Sequence, residues 1–482
     1  MNQVIEDIKR LFAVSVGLPL RDIEKIPQSG SDRIYFRINT EQNSYVVTYG
    51  KNIRENETFI YFTSHFRASG SPVPHILAVS EDRTIYIQED FGDTSLLNKL
   101  DEQGFSEEVF ALFQSSLLQL AHLQIKGDSG LDYSKCITSK DFGKQAILSD
   151  LLYFKYYFLD TLQIPYDKEK LLEEFDQFSS FLSAADHKYF MFRDFQSRNL
   201  MVRDGQVYFI DYQGGMKGAL QYDVASLLWQ ARADLPDEWK SKLLEYYIGC
   251  VEENLLYKVD RPAFIAQYNG YVLIRLLQVL GAYGFRGLFE RKAHFLTSIP
   301  LALKNLSWFI SHKHAGIELQ EFSRLLHLIV SEEVVNRFQP IQATEQTPLV
   351  VRIHSFSFKK GIPADHSGNG GGFTFDCRGL LNPGRFTEYK KLTGRDKPVK
   401  DFLEQRTRMP EYLNSVFTVV DISVEDYIKR GFNDLQVSFG CTGGQHRSVF
   451  AADSLSRHLH NKYKVKIELT HVEQEAKNWI NS

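Results

Sequence analysis

Three side chains near the middle of the chain have types and spacing that suit phosphoryl transfer. In FRDFQSRNLMVRDGQVYFIDYQ, Asp194 is followed five residues later by Asn199, and Asp211 closes a strand-like run twelve residues further on. Transfer of a phosphoryl group asks for a carboxylate to orient and deprotonate a hydroxyl, oxygen ligands for a divalent cation, and positive charge over the phosphates. Asp194 suits the base. Asn199 and Asp211 suit Mg2+, which takes one or two protein oxygens and leaves the rest of its shell to phosphate and water. Either acid alone would equally serve a turn or a strand end; the pattern of acid, amide, strand, turn, strand and acid is what points to chemistry.

A second pattern lies in VSFGCTGGQHRSVF, where Cys441 and Arg447 are separated by five residues and Ser448 follows. A buried strand, a turn containing Gly443 and Gly444, and a helix beginning near His446 would aim backbone N–H groups and the positive end of a helix dipole at one point. Arg447 would add a bidentate contact, and the same field would depress the Cys441 thiol. This is the skeleton of a cysteine phosphatase loop, but Gly440 stands where such a loop carries histidine, so a phosphate-binding cradle of Cys441, Thr442, Gly443, Gly444, His446 and Arg447 is the preferred reading.

The elements that must position these groups can be followed along the chain. IPQSGSDRIYFRINTEQNSYVVTYG reads as a strand hairpin, RENETFIYFTSHFRASG as a helix stopping at Gly70, and VPHILAVSEDRTIYIQEDFGD as two more strands. Residues 95–314 are mainly helical apart from the strand-rich island holding Asp194. RFQPIQATEQTP loses periodicity, and α/β alternation follows it. The expected organisation is a sheet lobe at 1–92, a helical lobe at 93–338, a linker at 339–349 and an α/β domain at 350–482.

Bulk composition adds exclusions. A chain of 482 residues implies two or three domains at roughly 150 residues each. A formal net charge of −4 gives no global footprint for nucleic acid or an acidic membrane. Cys136, Cys250, Cys377 and Cys441 are scattered with no C-x-x-C pair, which argues against a disulfide framework or a structural zinc site and for a reducing compartment. The first residues place acids where a signal peptide wants bases, and YVLIRLLQVLGAYGF is interrupted by Arg275 and short for a membrane span. A cytoplasmic protein without membrane contact is expected.

Through FRDFQSRNLM, FIDYQ and YDVASLL, residues 1 to about 335 resemble the aminoglycoside phosphotransferase superfamily, and within it the AmgK-type anomeric kinases of N-acetylmuramate and N-acetylglucosamine. The resemblance implies an α+β protein-kinase-like two-lobe domain that uses ATP and Mg2+. It implies Asp194 as base, Asn199 and Asp211 as metal ligands, and a nucleotide site with Ser31 and Arg33 at the hairpin tip, Glu57 on the following helix and Glu89 at the hinge. The usual strand lysine is missing; Thr48 takes its place, Phe192 stands where many relatives have histidine, and Arg33, beside the hairpin tip, could supply the missing positive charge or be a solvated surface arginine. Gln196, Arg198 and Gln213 flank the catalytic segment and could bond sugar hydroxyls, while Tyr153, Tyr156 and Tyr157 could stack on a sugar or belong to the core.

HSFSFKKGIPADHS, FDCRGLLNPGR, LTGRDKPVKDFL and FGCTGGQHRSVF are similar to the C-terminal domain of the RNase adaptor RapZ. That resemblance implies an α/β domain binding an amino-sugar phosphate, adds Asp376, Arg378 and His366 to the cradle, and raises RNA or protein as partners. The basic run RHLHNKYKVK is modest support for RNA.

Overall fold

The computed structural model describes residues 2–26, 33–186, 188–290, 293–296, 298–338, 341–368 and 370–477. The chain forms two compact units, residues 1–289 with 295–336, and residues 290–294 with 337–482.

The first unit begins with α1 (Asn2–Ser15) and an antiparallel sheet of β1 (Asp22–Lys25), β2 (Ile34–Asn39), β3 (Ser44–Tyr49), β4 (Ile76–Val79) and β5 (Ile85–Glu89), ordered β1-β2-β3-β5-β4. Side chains alternate across a strand. Phe36, Ile38, Val47, Ile85 and Ile87 therefore share a core with Ile8 and Phe12 of α1. The intervening Tyr35, Arg37, Thr48, Tyr86 and Gln88 turn to the opposite face, where they line a cavity. Between β3 and β4 runs α2 (Ile53–Ala68), started by the Asn52 side chain accepting from the Glu55 N–H.

The helical lobe holds α3 (Leu96–Gln103), α4 (Glu107–Lys126), α5 (Lys144–Phe154) and α6 (Lys168–Ser183), then two small antiparallel pairings, β6 (Lys188–Met191) with β9 (Met216–Ala219) and, between them in the chain, the hairpin of β7 (Leu200–Arg203) with β8 (Gln206–Phe209). Helices α7 (Gln221–Leu228), α8 (Asp237–Leu255) and α9 (Arg261–Tyr283) follow, then α10 (Ala293–Leu296), α11 (Ile299–His312), α12 (Gln320–Ile329) and α13 (Glu332–Asn336). Turns of π-helix extend α5 at Lys155–Asp160 and α9 at Gly284–Phe289. The apolar stretch expected to be short is part of this long α9 rod: Arg261–Phe289 is long and apolar enough to cross a bilayer, and 56% of its most apolar window is buried inside the protein. Leu273, Ile274, Leu276, Leu277 and Leu280 are at most 2% exposed, so the apolarity serves core packing here.

The second unit is built on a parallel sheet of β10 (Val350–Ser357), β11 (Phe373–Asp376), β12 (Asp434–Cys441) and β13 (Lys466–His471), ordered β11-β12-β10-β13. Val351, Ile353, Val437 and Phe439 pack with residues of α14 (Lys397–Arg406), α15 (Met409–Arg430) and α16 (Arg447–Tyr463). Ser357 and Cys441 are register partners at the carboxyl ends of β10 and β12, the edge at which ligands of open parallel sheets sit.

Helices α5 and α9 cross where glycine permits it. A Cβ on Gly284 would lie 2.2 Å from the Tyr157 carbonyl oxygen, a backbone atom that cannot swing away. Gly284→Ala is expected to cost about 1–3 kcal/mol through overpacking, read as a lowered melting temperature.

Candidate functional site

Strand β6 delivers the chain into Phe192-Arg193-Asp194, and β8 into Asp211. Both arrivals are strained: Arg193 and Asp211 have φ of +79° and +70°, a region that non-glycine residues occupy only when the surroundings compel it. At Arg193 the compulsion comes from Asp223, on the first turn of α7 and fully buried. Its carboxylate accepts from the N–H of Phe192 (2.7 Å), the N–H of Arg193 (3.0 Å) and Nε2 of Gln124 (2.9 Å). Burial pushes the Asp223 carboxyl up to about 7 against the pull of these donors. The Arg193 guanidinium donates to both Asp150 oxygens (2.9 and 2.8 Å) and to the Tyr222 hydroxyl (2.9 Å), fixing the loop to α5 and α7.

Asp194 is left half-exposed, with Arg275 Nη2 3.6 Å from its carboxylate. Arg275 is 4% exposed and donates through Nε to Ser226 (3.0 Å). Asn199 Nδ2 donates to the Asp194 carbonyl (2.9 Å) and to Asp211 (3.4 Å), which brings the three predicted residues together. Burial raises the Asp211 pKa; Asp194 adds to the rise, while Gln213 and Arg33 oppose it. The donor set, one amide and one carboxylate short of positive charge, fits a cation that keeps phosphate oxygens in its shell. Among the described residues, no group of three or more His, Cys, Asp or Glu could hold a metal by itself.

A cavity of about 440 Å³ lies between the polar face of the N-terminal sheet and this loop, lined by Arg33, Thr48, Tyr86, Arg198, Asn199 and Asp211 among others. Arg33 is 5% exposed, with Nε 3.3 Å from Glu55 and Nη2 3.4 Å from Asp211. The expectation for Glu57 is corrected: Glu57 is exposed, and two positions along a helix do not share a face, so Glu55 holds the arginine. Ser31 lies outside the described residues.

Glu89 lines the cavity, but its carboxylate accepts from the His75 N–H (3.3 Å) and its own N–H is bonded to the His75 carbonyl (2.9 Å). Gln213 is buried and donates to Asp211 (2.9 Å), which makes it a positioning residue rather than a free sugar contact. The Gln196 carbonyl accepts from the Asn199 N–H (2.8 Å) and closes the turn. Tyr153 and Tyr157 pack on each other and on Phe285, while Tyr156 is 56% exposed. None of the three tyrosines lines the cavity.

In the second unit, Cys441 Sγ lies 3.2 Å from both the Ser448 hydroxyl and the Gly444 N–H. Burial alone would raise its pKa, but the hydroxyl and N–H of Ser448 and the N–H groups of Gly443 and Gln445 bring it below the ordinary thiol value. Gly444 has φ +63°, and a Cβ there would meet Glu473 at 2.3 Å, so the turn requires glycine.

The outward donors predicted for the cradle are only partly there. Arg447 is 3% exposed and gives Nη1 to the carbonyls of Arg378 (3.0 Å) and Leu380 (2.6 Å), and His446 Nε2 meets the Tyr389 carbonyl (2.9 Å); both turn inward. Asp376 and Arg378 are exposed and pair with each other at 2.7 Å, the arginine lying over Phe358. Thr442 and Gly443 form the solvent-facing tip. His366 is placed elsewhere, lining a cavity of about 720 Å³ with Arg352 and Asp434. The basic run is partly neutralised, since His458 and Lys462 each lie 2.8 Å from Asp421.

Residues 22–257 match the model of the phosphotransferase enzyme family. The chain carries a phosphotransferase-family domain. Its first unit has that family's protein-kinase-like two-lobed fold, and residues 349–475 match the RapZ C-terminal domain. A nucleotide-binding protein of Fervidobacterium nodosum is 32% identical over 194 residues, covering 39% of this chain and 67% of the relative. One of Thermosipho africanus is 40% identical over 119 residues, covering 25% and 41%. The chain thus spans two thirds or less of these relatives. Among solved structures, choline kinase LicA from Streptococcus pneumoniae matches with TM-score 0.41 and 13% identity, covering 64% of this chain and 100% of that one. A choline/ethanolamine kinase family protein from Mesorhizobium loti matches with TM-score 0.44 and 14% identity, covering 68% and 99%.

Four members of the phosphotransferase site escaped the sequence reading: Glu55, Asp150, Asp223 and Arg275. Asp223 sat inside the recognised YDVASLL, so its motif carried the signal without the role. A pH dependence follows. With its folded pKa near 7 and an ordinary unfolded carboxyl lower, Asp223 contributes stability that is complete below about pH 4 and is lost as pH rises through about 7. Melting temperatures of Asp223→Asn and the native chain, compared from pH 4.5 to 7.5, should therefore converge or invert toward the upper end.

Proposed function

We propose that the first unit is an ATP- and Mg2+-dependent kinase of an N-acetylated amino sugar, acting at the anomeric hydroxyl of N-acetylmuramate or N-acetylglucosamine as in cell-wall sugar recycling. The reading is carried by the convergence of Asp194, Asn199 and Asp211, the last two of which line the cavity. Asp194 is half-exposed and takes the proton of the acceptor hydroxyl, with Arg275 beside its carboxylate. Asn199 and Asp211 would hold Mg2+, which when bound neutralises charge developing on the phosphates. An aminoglycoside or small-alcohol acceptor is the alternative substrate class, and a cationic one needs an acidic pocket.

A second reading, a nucleotide-binding adaptor without turnover, draws on the missing strand lysine. Incubation with ATP, Mg2+ and free sugars separates the two. Turnover should yield an acid-labile phosphate, the mark of an anomeric ester, and Asp194→Asn should lower kcat by on the order of 10²–10³ with ATP affinity retained. Stable product or undiminished turnover would refute the assignment.

For the second unit we propose a sugar-phosphate sensor whose ligand rests on the Thr442–Gly443 tip beside Arg378, with RNA the less favoured partner given the pairing of His458 and Lys462. An amino-sugar phosphate is expected to raise the melting temperature and slow the alkylation of Cys441. Release of phosphate from it, abolished by Cys441→Ser, would instead restore the phosphatase reading.

A further inference from the structure

Phosphoryl transfer on this fold ordinarily uses a lysine from the third strand, held by a glutamate of the next helix, to grip the nucleotide phosphates. Here the cavity-facing residue of β3 is Thr48, 0% exposed. Its register partners are Tyr35 on β2 and Tyr86 on β5, so two aromatic rings flank the lysine's usual place. Stacking of Tyr86 on Phe59, with ring centroids 5.2 Å apart, fixes that wall.

A cation nevertheless enters the same space from another direction. Arg33 precedes β2, and the pairing of Ile34 with Tyr49 sets it opposite Gly50. A Cβ on Gly50 would lie 3.2 Å from Arg33 Cγ and 2.6 Å from Asn56 Oδ1, so the missing side chain there makes room for the arginine stem. The guanidinium ends between Glu55 on the first turn of α2 (3.3 Å) and Asp211 (3.4 Å). These are the two carboxylates that the strand lysine would have to join: one on the helix after β3, the other at the metal position.

We propose that Arg33 is the phosphate-gripping cation of this enzyme, supplied from the start of β2 in place of the β3 lysine and held in position by Glu55. The inference rests on the reading of the cavity as an ATP site. A guanidinium differs from an ammonium in offering a planar fork of donors, suited to spanning two phosphate oxygens, and it keeps its charge when buried. Glu55 acts through Arg33 and is a positioning residue.

The test separates nucleotide phosphates from the base. Binding of Mg·ADP and of adenosine is measured by calorimetry for the native chain, Arg33→Met, Arg33→Lys and Arg33→Met/Thr48→Lys, with melting temperatures alongside. Arg33→Met should weaken Mg·ADP at least about tenfold, the scale of a lost charge-assisted contact, while adenosine binds within about twofold of native. In turnover, kcat/KM for ATP should fall on the order of 10²-fold, and Thr48→Lys, which returns a cation to β3, should recover part of it. Arg33→Lys keeps a charge between the two carboxylates and covers the case in which Arg33→Met does not fold; it too should lose Mg·ADP affinity selectively. Unchanged Mg·ADP binding in a folded Arg33 variant, or an equal loss for adenosine, overturns the inference alone. A native chain that binds neither Mg·ADP nor adenosine overturns the ATP-site reading and this inference with it.

Discussion

The phosphotransferase site depends on one buried carboxylate. Asp223 accepts from two successive backbone N–H groups, those of Phe192 and Arg193, immediately before Asp194. An uncompensated buried carboxylate is costly, so the loop has little freedom to withdraw its donors. That constraint keeps Arg193 at positive φ and thereby aims Asp194. Asp223 is itself fixed from outside the loop by Gln124 on α4, and Gln124 accepts from the Tyr247 hydroxyl on α8. Three helices therefore hold one dipeptide, and the backbone entering Asp194 is fixed although that side chain is half-exposed.

Around that anchor the charges are arranged in pairs, each with one member on the loop or cavity wall and one on a helix: Arg193 with Asp150, Asp194 with Arg275, Arg33 with Glu55. Asp211 departs from this pattern. Its pKa is raised by burial and by Asp194 nearby, and Arg33 and Gln213 only partly offset the rise.

What the sequence disclosed and what it hid follow from distance along the chain. Asp194, Asn199 and Asp211 fall within one island, so their spacing alone brought them together. Glu55 and Glu57 share a helix, and which of them meets Arg33 is decided by how α2 rests on the sheet, a tertiary fact that two residues' separation cannot encode. Asp223 and Arg275 reach the loop from 30 and 81 residues away along the chain. In the second unit the glycine turn and Cys441 were legible, whereas the inward turn of Arg447 and His446 depends on carbonyls at Arg378, Leu380 and Tyr389.

Those carbonyls also weigh against catalysis at Cys441. A cysteine phosphatase needs its arginine over the phosphate oxygens and its thiolate open to in-line attack. Here the guanidinium is committed to two backbone carbonyls and to Thr442, and the sulfur is 3% exposed beneath the turn. The sulfur has a structural use here: it accepts the N–H of Gly444 and bonds the Ser448 hydroxyl, closing the turn around itself with Gly444 close to Glu473. The tip left outside that closure is Thr442 and Gly443, so the feature that resembles a nucleophile works as the keystone of a loop whose outward face is the part available to a ligand.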